Sequence, residues 1–176
     1  IDAGANSLRV GVGTGSACTT RINTGVGVPQ ITAIASVADV ARETDVTVVA
    51  DGGIRTPGDA SKALMAGADA VMMGGELAVC EESAAPVTAH GKKLFRGMAS
   101  ESAQRDIYGD ASMVEGASFT RPMNGSVASV LRRYQDGIRS AMSYCNGTTV
   151  AEARDNAQFV EVTGNTVWRN GAHGTE

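Results

Sequence analysis

Short apolar runs and amphipathic stretches alternate along the first half of the chain. Residues 7–12 alternate polar and apolar side chains, a pattern that predicts a short half-buried strand. Apolar residues then recur at helical spacing, which predicts an amphipathic helix that opens at Pro29 and Gln30. The residues on its apolar face are Ile31, Ile34, Ala35, Ala38 and Ala41.

Two further strands are predicted from apolar runs without alternation. Residues 46–50 and 69–73 are of this kind, and such runs are typical of strands buried on both faces of a parallel sheet. A helix over residues 61–68 separates them and is expected to end at Gly67. The order strand–helix–strand–helix–strand predicts parallel βα units in an α/β fold.

The hydrophobic pattern weakens beyond the third strand. Residues 83–125 are polar, contain glycines and are too long for an ordinary connection, so they are expected to form a mobile lid. Helical spacing returns over residues 126–143, where Ser126 is the expected N-cap. The repeating residues of this closing helix are Val127, Val130, Leu131, Tyr134, Ile138 and Ala141.

The end of the chain is expected to add two short elements. A helix over residues 149–157 and a strand over residues 158–163 complete a single domain that spans residues 1–164. Residues 165–176 are expected to form a loose tail.

Composition narrows the class of protein. The chain has 176 residues, of which 43% are apolar and 19% charged, so it is typical of a globular domain. A net charge of −4 and a pI near 5.2 argue against a nucleic-acid partner, and no apolar run is long enough to span a membrane. The three cysteines match no zinc pattern and predict a reducing, cytoplasmic location. The chain starts at Ile1, so a fragment or a processed chain is expected.

Glycine-bearing loops follow the three predicted strands. Because the carboxyl ends of parallel strands carry the functional site, the loops at 13–28, 51–59 and 74–76 should line one mouth. The first loop contains Cys18, which is either a nucleophile near backbone N–H groups and Arg21 or a buried structural thiol. Its glycine spacing, GVGTGS, departs from the dinucleotide pattern G-x-G-x-x-G.

An acidic residue opens the second loop. Asp51 can accept the two hydroxyls of a ribose, while the N–H groups of Gly52 and Gly53 can reach a phosphate. An ordinary turn aspartate is the alternative. Gly74 and Gly75 after the next strand favour the nucleotide interpretation, because two neighbouring strand ends then offer bare backbone.

Three segments together resemble one enzyme family. They are GVGTGSACTTRINTGVGVPQ, VVADGGIRTPGDASKALMAGADAVMMGG and KLFRGMAS, and they closely resemble the inosine-monophosphate dehydrogenase and GMP reductase family. The resemblance covers residues 1 to about 164. It implies a (β/α)8 TIM barrel, of which this chain would supply strands 6–8 with the lid and closing helix. It also implies a homotetramer once the barrel is complete, and poor folding or aggregation of the chain alone.

The resemblance implies roles residue by residue. Cys18 would attack C2 of a bound purine nucleotide, Asp51 would hold the ribose hydroxyls and Ser16 would contact the phosphate. The positions implied to bind the substrate, GMP or IMP, are Ser16, Asp51, Gly52, Gly53, Gly74, Gly75, Gly97, Met98, Ala99 and Gly116.

The resemblance also implies a cofactor and a cation. NADPH, or NAD in the dehydrogenase branch, would lie near Met98, Ser143 and Tyr144, the last two following the closing helix. Potassium or another monovalent cation would be bound by backbone carbonyl groups. The implied cation ligands are Gly13, Gly15, Cys18 and Arg21.

The choice between the two branches rests on the lid. The dehydrogenase activates water with an adjacent Arg-Tyr pair on a long flap, whereas Arg105 and Tyr108 are three positions apart in the short lid of this chain. The adjacent pair Arg133-Tyr134 lies in the closing helix, where Tyr134 is expected to face the core. A reductase is therefore favoured, and an IMP dehydrogenase or a non-catalytic fragment or interaction subunit remains the alternative.

The reductase branch implies an acid in the lid. Thr20 matches its relay threonine, which both branches share, and Glu115 matches its lid glutamate. Glu101 is a rival acid at a position that looks structural. Ser112 departs from the pattern, because reductases commonly place an arginine there to touch the nucleotide.

Overall fold

A parallel three-stranded sheet and a separate antiparallel pair of strands organise the chain, for which a computed structural model describes residues 1–164. Helices occupy the connections between the parallel strands. The elements in chain order are β1 (Ser7–Val10), α1 (Thr20–Thr24), α2 (Gln30–Ala41), β2 (Thr47–Asp51), α3 (Pro57–Met65), β3 (Ala70–Met72), α4 (Gly75–Ala78), β4 (Lys92–Arg96), α5 (Glu101–Tyr108), β5 (Ser118–Pro122), α6 (Val127–Tyr144) and α7 (Val150–Asn156).

The first sheet has the strand order β1-β2-β3, and both pairs of neighbours are parallel. Leu8 pairs with Val48, and Ala50 pairs with Val71. The predicted βα units are therefore confirmed. Parallel pairing brings the three carboxyl ends of the strands to one edge of the sheet, where the glycine-bearing loops begin.

The core lies between this sheet and the helices packed on it. Val48 and Ala50 of β2 are almost fully buried against Ile34 of α2, and α6 adds Val130 and Tyr134 to the same cluster. Helix α6 packs along α3, and α7 packs against both. The closing helix thus anchors the end of the chain to the sheet, and Ser126 caps it as predicted by accepting the Ser129 N–H at 3.2 Å.

Several predicted details are wrong. Strand β3 is not buried on both faces: Ala70 is exposed and Met72 is 41% exposed, because the core packs against the face that carries Val71 and leaves the opposite face uncovered among the described residues. Helix α3 ends at Met65 with Ala66 as its C-cap, ahead of the predicted Gly67. Leu131 of α6 faces solvent.

Residues 83–125 contain regular structure that the hydrophobic pattern did not predict. Strands β4 and β5 pair in an antiparallel arrangement, with Phe95 opposite Phe119. Helix α5 forms part of the connection between the two strands. The predicted strand over residues 158–163 is not formed within the described part of the chain. The predicted tail, residues 165–176, lies outside the described residues. No helix among residues 1–164 is both long and apolar enough to cross a membrane.

Candidate active site

A cavity of about 580 Å³ opens at the carboxyl ends of the three parallel strands. Residues from all three strand-end loops line it, as predicted, and the lid segment with β4 and β5 forms the opposite wall. The sequence-predicted residues that line it are Gly15, Ser16, Cys18, Asp51, Gly52, Gly53, Gly74, Gly75, Gly97, Met98, Ala99, Glu115 and Gly116. The structure therefore brings together all ten positions predicted to bind the substrate.

Two hydrogen bonds connect the Cys18 thiol to a carboxylate of the lid. The thiol donates to the Thr20 hydroxyl, with 3.1 Å between Sγ and Oγ1. The same hydroxyl donates to Glu115, with 2.6 Å between Oγ1 and Oε2. A thiol, a hydroxyl and a carboxylate in this order form a continuous path along which a proton can move.

Backbone hydrogen bonds hold the lid carboxylate in this place. The Thr19 N–H donates to the Glu115 carbonyl at 2.8 Å, and the Ala117 N–H donates to the Ala17 carbonyl at 2.7 Å. Gly116 lies between these bonds, where a Cβ would come within 2.6 Å of the Ser100 nitrogen. Only glycine fits this contact, so the residue after Glu115 lets the lid approach the cysteine loop.

The alternative acid of the lid, Glu101, and the Arg133-Tyr134 pair of the closing helix do not line the cavity. Glu101 forms an exposed ion pair with Arg105 on α5, and neither residue lines the cavity. Tyr134 is 3% exposed and faces the core, as predicted. Burial, with a smaller contribution from the nearby Glu76 carboxylate, raises the pKa of Tyr134 to about 12. Tyr134 is not among the residues that line the cavity.

Asp51 lies at the end of β2 with its carboxylate in the cavity wall. Arg9 is its ion-pair partner, with 3.5 Å between Nε and Oδ2. The Asp51 backbone carbonyl accepts from the Thr14 hydroxyl at 2.6 Å and from the Gln30 amide at 3.1 Å. These bonds tie the cysteine loop, α2 and the strand end together beneath the carboxylate.

Several cavity residues were missed by the sequence analysis. The Phe95 and Phe119 rings contact each other in a tilted arrangement, with centroids 5.3 Å apart. Glu76 and Arg121 form an ion pair in the wall. The five residues of β4, KKLFR, do not alternate, and those of β5, SFTRP, alternate only over a short stretch of mixed polarity, so neither strand gave a clear signal for its ring. The remaining missed residues are Ala17, Ile54, Arg55 and Met72.

The Arg21 side chain stabilises the loop that is predicted to bind a cation. Arg21 donates from Nε to the Val12 carbonyl at 3.0 Å and from Nη2 to the Val28 carbonyl at 2.6 Å. The Gly15 carbonyl accepts the Cys18 N–H at 3.0 Å and retains a second lone pair. The Arg21 carbonyl accepts the Gly25 N–H at the end of α1. Arg21 thus stabilises this loop through its guanidinium.

The predicted cofactor positions fall in two separate places. Met98 lines the main cavity, whereas Ser143 borders a shallower depression of about 380 Å³ beside Asn146 and Gly147. Tyr144 is 90% exposed. Ser143 and Tyr144 also belong to the last turn of α6 rather than following it. Within the described residues, the chain does not join these positions into one pocket.

Comparison with known proteins identifies the family. Residues 1–173 match the IMP dehydrogenase / GMP reductase domain. The chain belongs to this family. An inosine-5′-monophosphate dehydrogenase from Aquifex aeolicus is 44% identical over an alignment 175 positions long, which covers 93% of this chain and 36% of that protein. A GMP reductase from Leishmania donovani is 39% identical over an alignment 187 positions long, which covers 98% of this chain and 38% of that protein.

A solved family structure matches the fold closely. It is a variant of GMP reductase from Trypanosoma brucei in complex with guanosine 5′-monophosphate, and it superimposes with a TM-score of 0.91 at 38% identity. The match covers 99% of this chain and 38% of that structure, so the chain spans well under half the length of these relatives. The expected α/β fold, a portion of a family TIM barrel, is confirmed.

Proposed function

We propose that this chain supplies the catalytic loop and lid of a GMP reductase, an enzyme that converts GMP to IMP with NADPH. The observation that carries the proposal is the pair of hydrogen bonds from Cys18 through Thr20 to Glu115. Removal of an amino group requires a nucleophile at the purine carbon and a proton for the leaving nitrogen. The three side chains meet both requirements.

In the first step Cys18 adds to C2 of the guanine ring, and a sulfur–carbon bond forms. The thiol proton passes through Thr20 to Glu115, which returns a proton to the departing amino group. The bond between C2 and this nitrogen breaks, and ammonia leaves. Cys18 then holds the purine as a covalent intermediate.

In the second step C2 receives a hydride and the sulfur–carbon bond breaks, which returns Cys18 as a thiolate and yields IMP. NADPH, when bound, supplies this hydride and leaves as NADP⁺. The thiolate takes up one proton through the same Thr20 path. The balanced reaction consumes GMP, NADPH and one proton and gives IMP, NADP⁺ and ammonia.

The cavity fits a purine nucleotide in size and chemistry. Its volume of about 580 Å³ lies within the ~300–1,000 Å³ usual for small-molecule sites. Asp51 would accept the ribose hydroxyls, and Ser16 would bind the phosphate. The base would then lie against Met98 and Gly116, with its C2 beside Cys18.

The reductase is favoured over an IMP dehydrogenase by the acid that contacts Thr20. Glu115 accepts the Thr20 hydrogen bond, and residues 97–115 contain no adjacent Arg-Tyr pair to activate water. A relative named IMP dehydrogenase is 44% identical to the chain, which keeps oxidation of IMP with NAD as the second candidate.

The cofactor and the cation belong to the same proposal. The carbonyl groups of Gly13, Gly15 and Cys18 are oxygen donors suited to potassium, and Arg21 would stabilise the loop from its other side. Met98 would contact the nicotinamide, whereas Ser143 and Tyr144 would contact the cofactor from a different place. Cytoplasmic location and a homotetramer remain predictions.

The test compares two reactions in one preparation. The chain is assayed alone and as the completed barrel, by which we mean its fusion to the part of the Trypanosoma brucei relative that lies outside the matched region. Nicotinamide absorbance is followed with GMP and NADPH and, separately, with IMP and NAD. We expect GMP-dependent loss of NADPH with release of ammonia in equal amount.

The other outcomes each reject the proposal. Formation of NADH from IMP, without NADPH loss from GMP, would identify the dehydrogenase. Absence of both reactions in a folded completed barrel would favour the non-catalytic alternative.

A further inference from the structure

A carboxylate and two guanidinium groups form a cluster in the cavity wall. Glu76 of α4 is 5% exposed, and its Oε1 accepts from Nη2 of Arg121 at 2.8 Å. Its Oε2 accepts from Nη2 of Arg133 at 3.2 Å. The three side chains come from α4, β5 and α6. The cluster therefore also joins α4 to the closing helix and to the antiparallel pair β4–β5, which we call the lid sheet.

The charges of the cluster do not cancel. One carboxylate faces two guanidinium groups, which leaves a net positive charge beside the cavity. Arginine holds its charge at all physiological pH values. Among these three residues, Glu76 and Arg121 line the cavity, whereas Arg133 reaches Glu76 from the helix behind it. An anionic group of a ligand would therefore be attracted to the side of the cavity formed by Arg121.

The second nitrogen of Arg121 borders the space above Gly75. A Cβ built on Gly75 would be 3.1 Å from Nη1 of Arg121 and 3.0 Å from the Ser16 hydroxyl oxygen. The two polar groups thus face the same small volume, which glycine leaves open. Within residues 1–164, Nη1 donates to no acceptor, whereas Nη2 is engaged by Glu76.

We propose that Arg121 binds the 5′-phosphate of the nucleotide and thereby selects nucleotides over nucleosides. The inference rests on the proposed function, because it assumes that a purine nucleotide fills the cavity. Glu76 is a positioning residue that fixes the guanidinium through Nη2, and Nη1 donates to a phosphate oxygen beside Ser16. Arg133 offsets the charge of Glu76, so the carboxylate does not repel the phosphate.

The test measures binding of GMP and of guanosine to the completed barrel by calorimetry. For Arg121→Ala we expect GMP affinity to fall about 10- to 100-fold, as for loss of a charge-assisted hydrogen bond, with guanosine affinity unchanged. Arg121→Lys should recover part of the GMP affinity. Glu76→Gln should lower GMP affinity in the same direction, because the guanidinium is no longer fixed.

The matched control is Arg105→Ala, which also removes an ion-paired arginine but lies outside the cavity. It should leave both affinities unchanged. The ratio of GMP to guanosine affinity is compared within each variant, so a partly unfolded preparation cannot imitate the expected result.

Two results would overturn the inference while leaving the proposed function in place. One is wild-type GMP affinity in Arg121→Ala, and the other is an equal loss for GMP and guanosine. Failure of the folded wild-type completed barrel to bind GMP would instead reject the proposed function itself.

Discussion

The Cys18 thiol reaches a carboxylate only through the hydroxyl of Thr20, and this path is the basis of the proposed chemistry. Cys18 and Thr20 lie two positions apart in the chain, whereas Glu115 belongs to the lid. The path therefore exists only while the lid contacts the cysteine loop. Its geometry depends on the backbone bonds of Thr19 and Ala117, which fix the lid on both sides of the carboxylate.

Glu115→Gln should remove the proton acceptor while preserving the shape of the side chain. We expect kcat for GMP to fall about 10²- to 10⁴-fold, the range usual for loss of general acid–base catalysis, with little change in KM. The control is Glu101→Gln on α5, an exposed lid carboxylate outside the cavity. An equal loss of kcat in both variants would contradict the relay.

Tyr134→Phe tests the buried phenol. Its hydroxyl has no hydrogen-bond partner among the described residues, so its removal should leave stability unchanged or raise it by up to ~1 kcal/mol at neutral pH. Because the pKa of Tyr134 is raised to about 12, the unfolded chain loses this proton first as pH rises above its ordinary value of 10.0. The wild type should therefore lose stability between these two values.

Urea unfolding at neutral pH and near pH 11 measures this effect. The wild type should lose on the order of 1–3 kcal/mol relative to Tyr134→Phe over the alkaline window. Tyr144→Phe is the control, because Tyr144 is 90% exposed. A wild-type pH dependence identical to that of Tyr134→Phe would contradict the assignment.

At the scale of elements, the lid sheet lines the cavity together with the loops of the parallel strands. Strands β4 and β5 place Phe95, Phe119 and Arg121 on the cavity wall, and the turn before β5 places Glu115 at Thr20. In the proposed mechanism the loops of the parallel sheet supply the nucleophile and the contacts to the ligand. The lid would supply the proton acceptor, so its position would decide whether the site is assembled.

Gly116→Ala should separate the lid from the cysteine loop. A Cβ there would lie 2.6 Å from the Ser100 nitrogen, so the lid backbone must move. We expect faster hydrogen exchange at the Thr19 and Ala117 amides and loss of turnover. Gly58→Ala in α3 is the control, because its Cβ meets only an ordinary contact and should stabilise the helix by roughly 0.5–1 kcal/mol. Unchanged exchange in Gly116→Ala would contradict this account.

The elements differ in how far the sequence predicts them. The three parallel strands and α2, α3 and α6 follow from local sequence patterns, because each contributes apolar residues to the core between the sheet and the helices. Strands β4 and β5 are stabilised by pairing between distant segments, which local patterns do not reveal. Local patterns do not predict the Glu76–Arg121 ion pair either, because it also joins distant segments and each charged residue alone is typical of a surface position.

For the site as a whole, the sequence predicts the residues that carry recognisable motifs. Cys18, Asp51 and the glycines lie in loops whose chemistry is local, and Glu115 follows from the family resemblance. The wall formed by the two phenylalanines required the tertiary structure. Phe95 lies within the segment KLFRGMAS, but the resemblance assigns its ring no role, and Phe119 lies in none of the three segments.

At the scale of the whole molecule, the parallel sheet has two unpaired edges among the described residues. Strands β1 and β3 each pair only with β2. Large apolar side chains are exposed near these edges, including Val12 at 58% and Met72 at 41%. Open edges and exposed apolar surface favour association. The missing share of the barrel would cover both.

The chain alone should therefore self-associate with rising concentration, whereas the completed barrel should give a defined species with a higher unfolding temperature. Sedimentation velocity and thermal unfolding measure the two properties. A chain that stays monomeric at all concentrations and is as stable as the completed barrel would contradict the need for further strands.

The proposed mechanism requires Cys18 to form a covalent bond to the purine. Steady-state turnover of GMP and NADPH by the completed barrel carrying Cys18→Ala tests this requirement. We predict no GMP-dependent loss of NADPH, together with GMP affinity close to that of the wild type, because the cavity is otherwise unchanged. Turnover retained in Cys18→Ala would contradict the covalent mechanism.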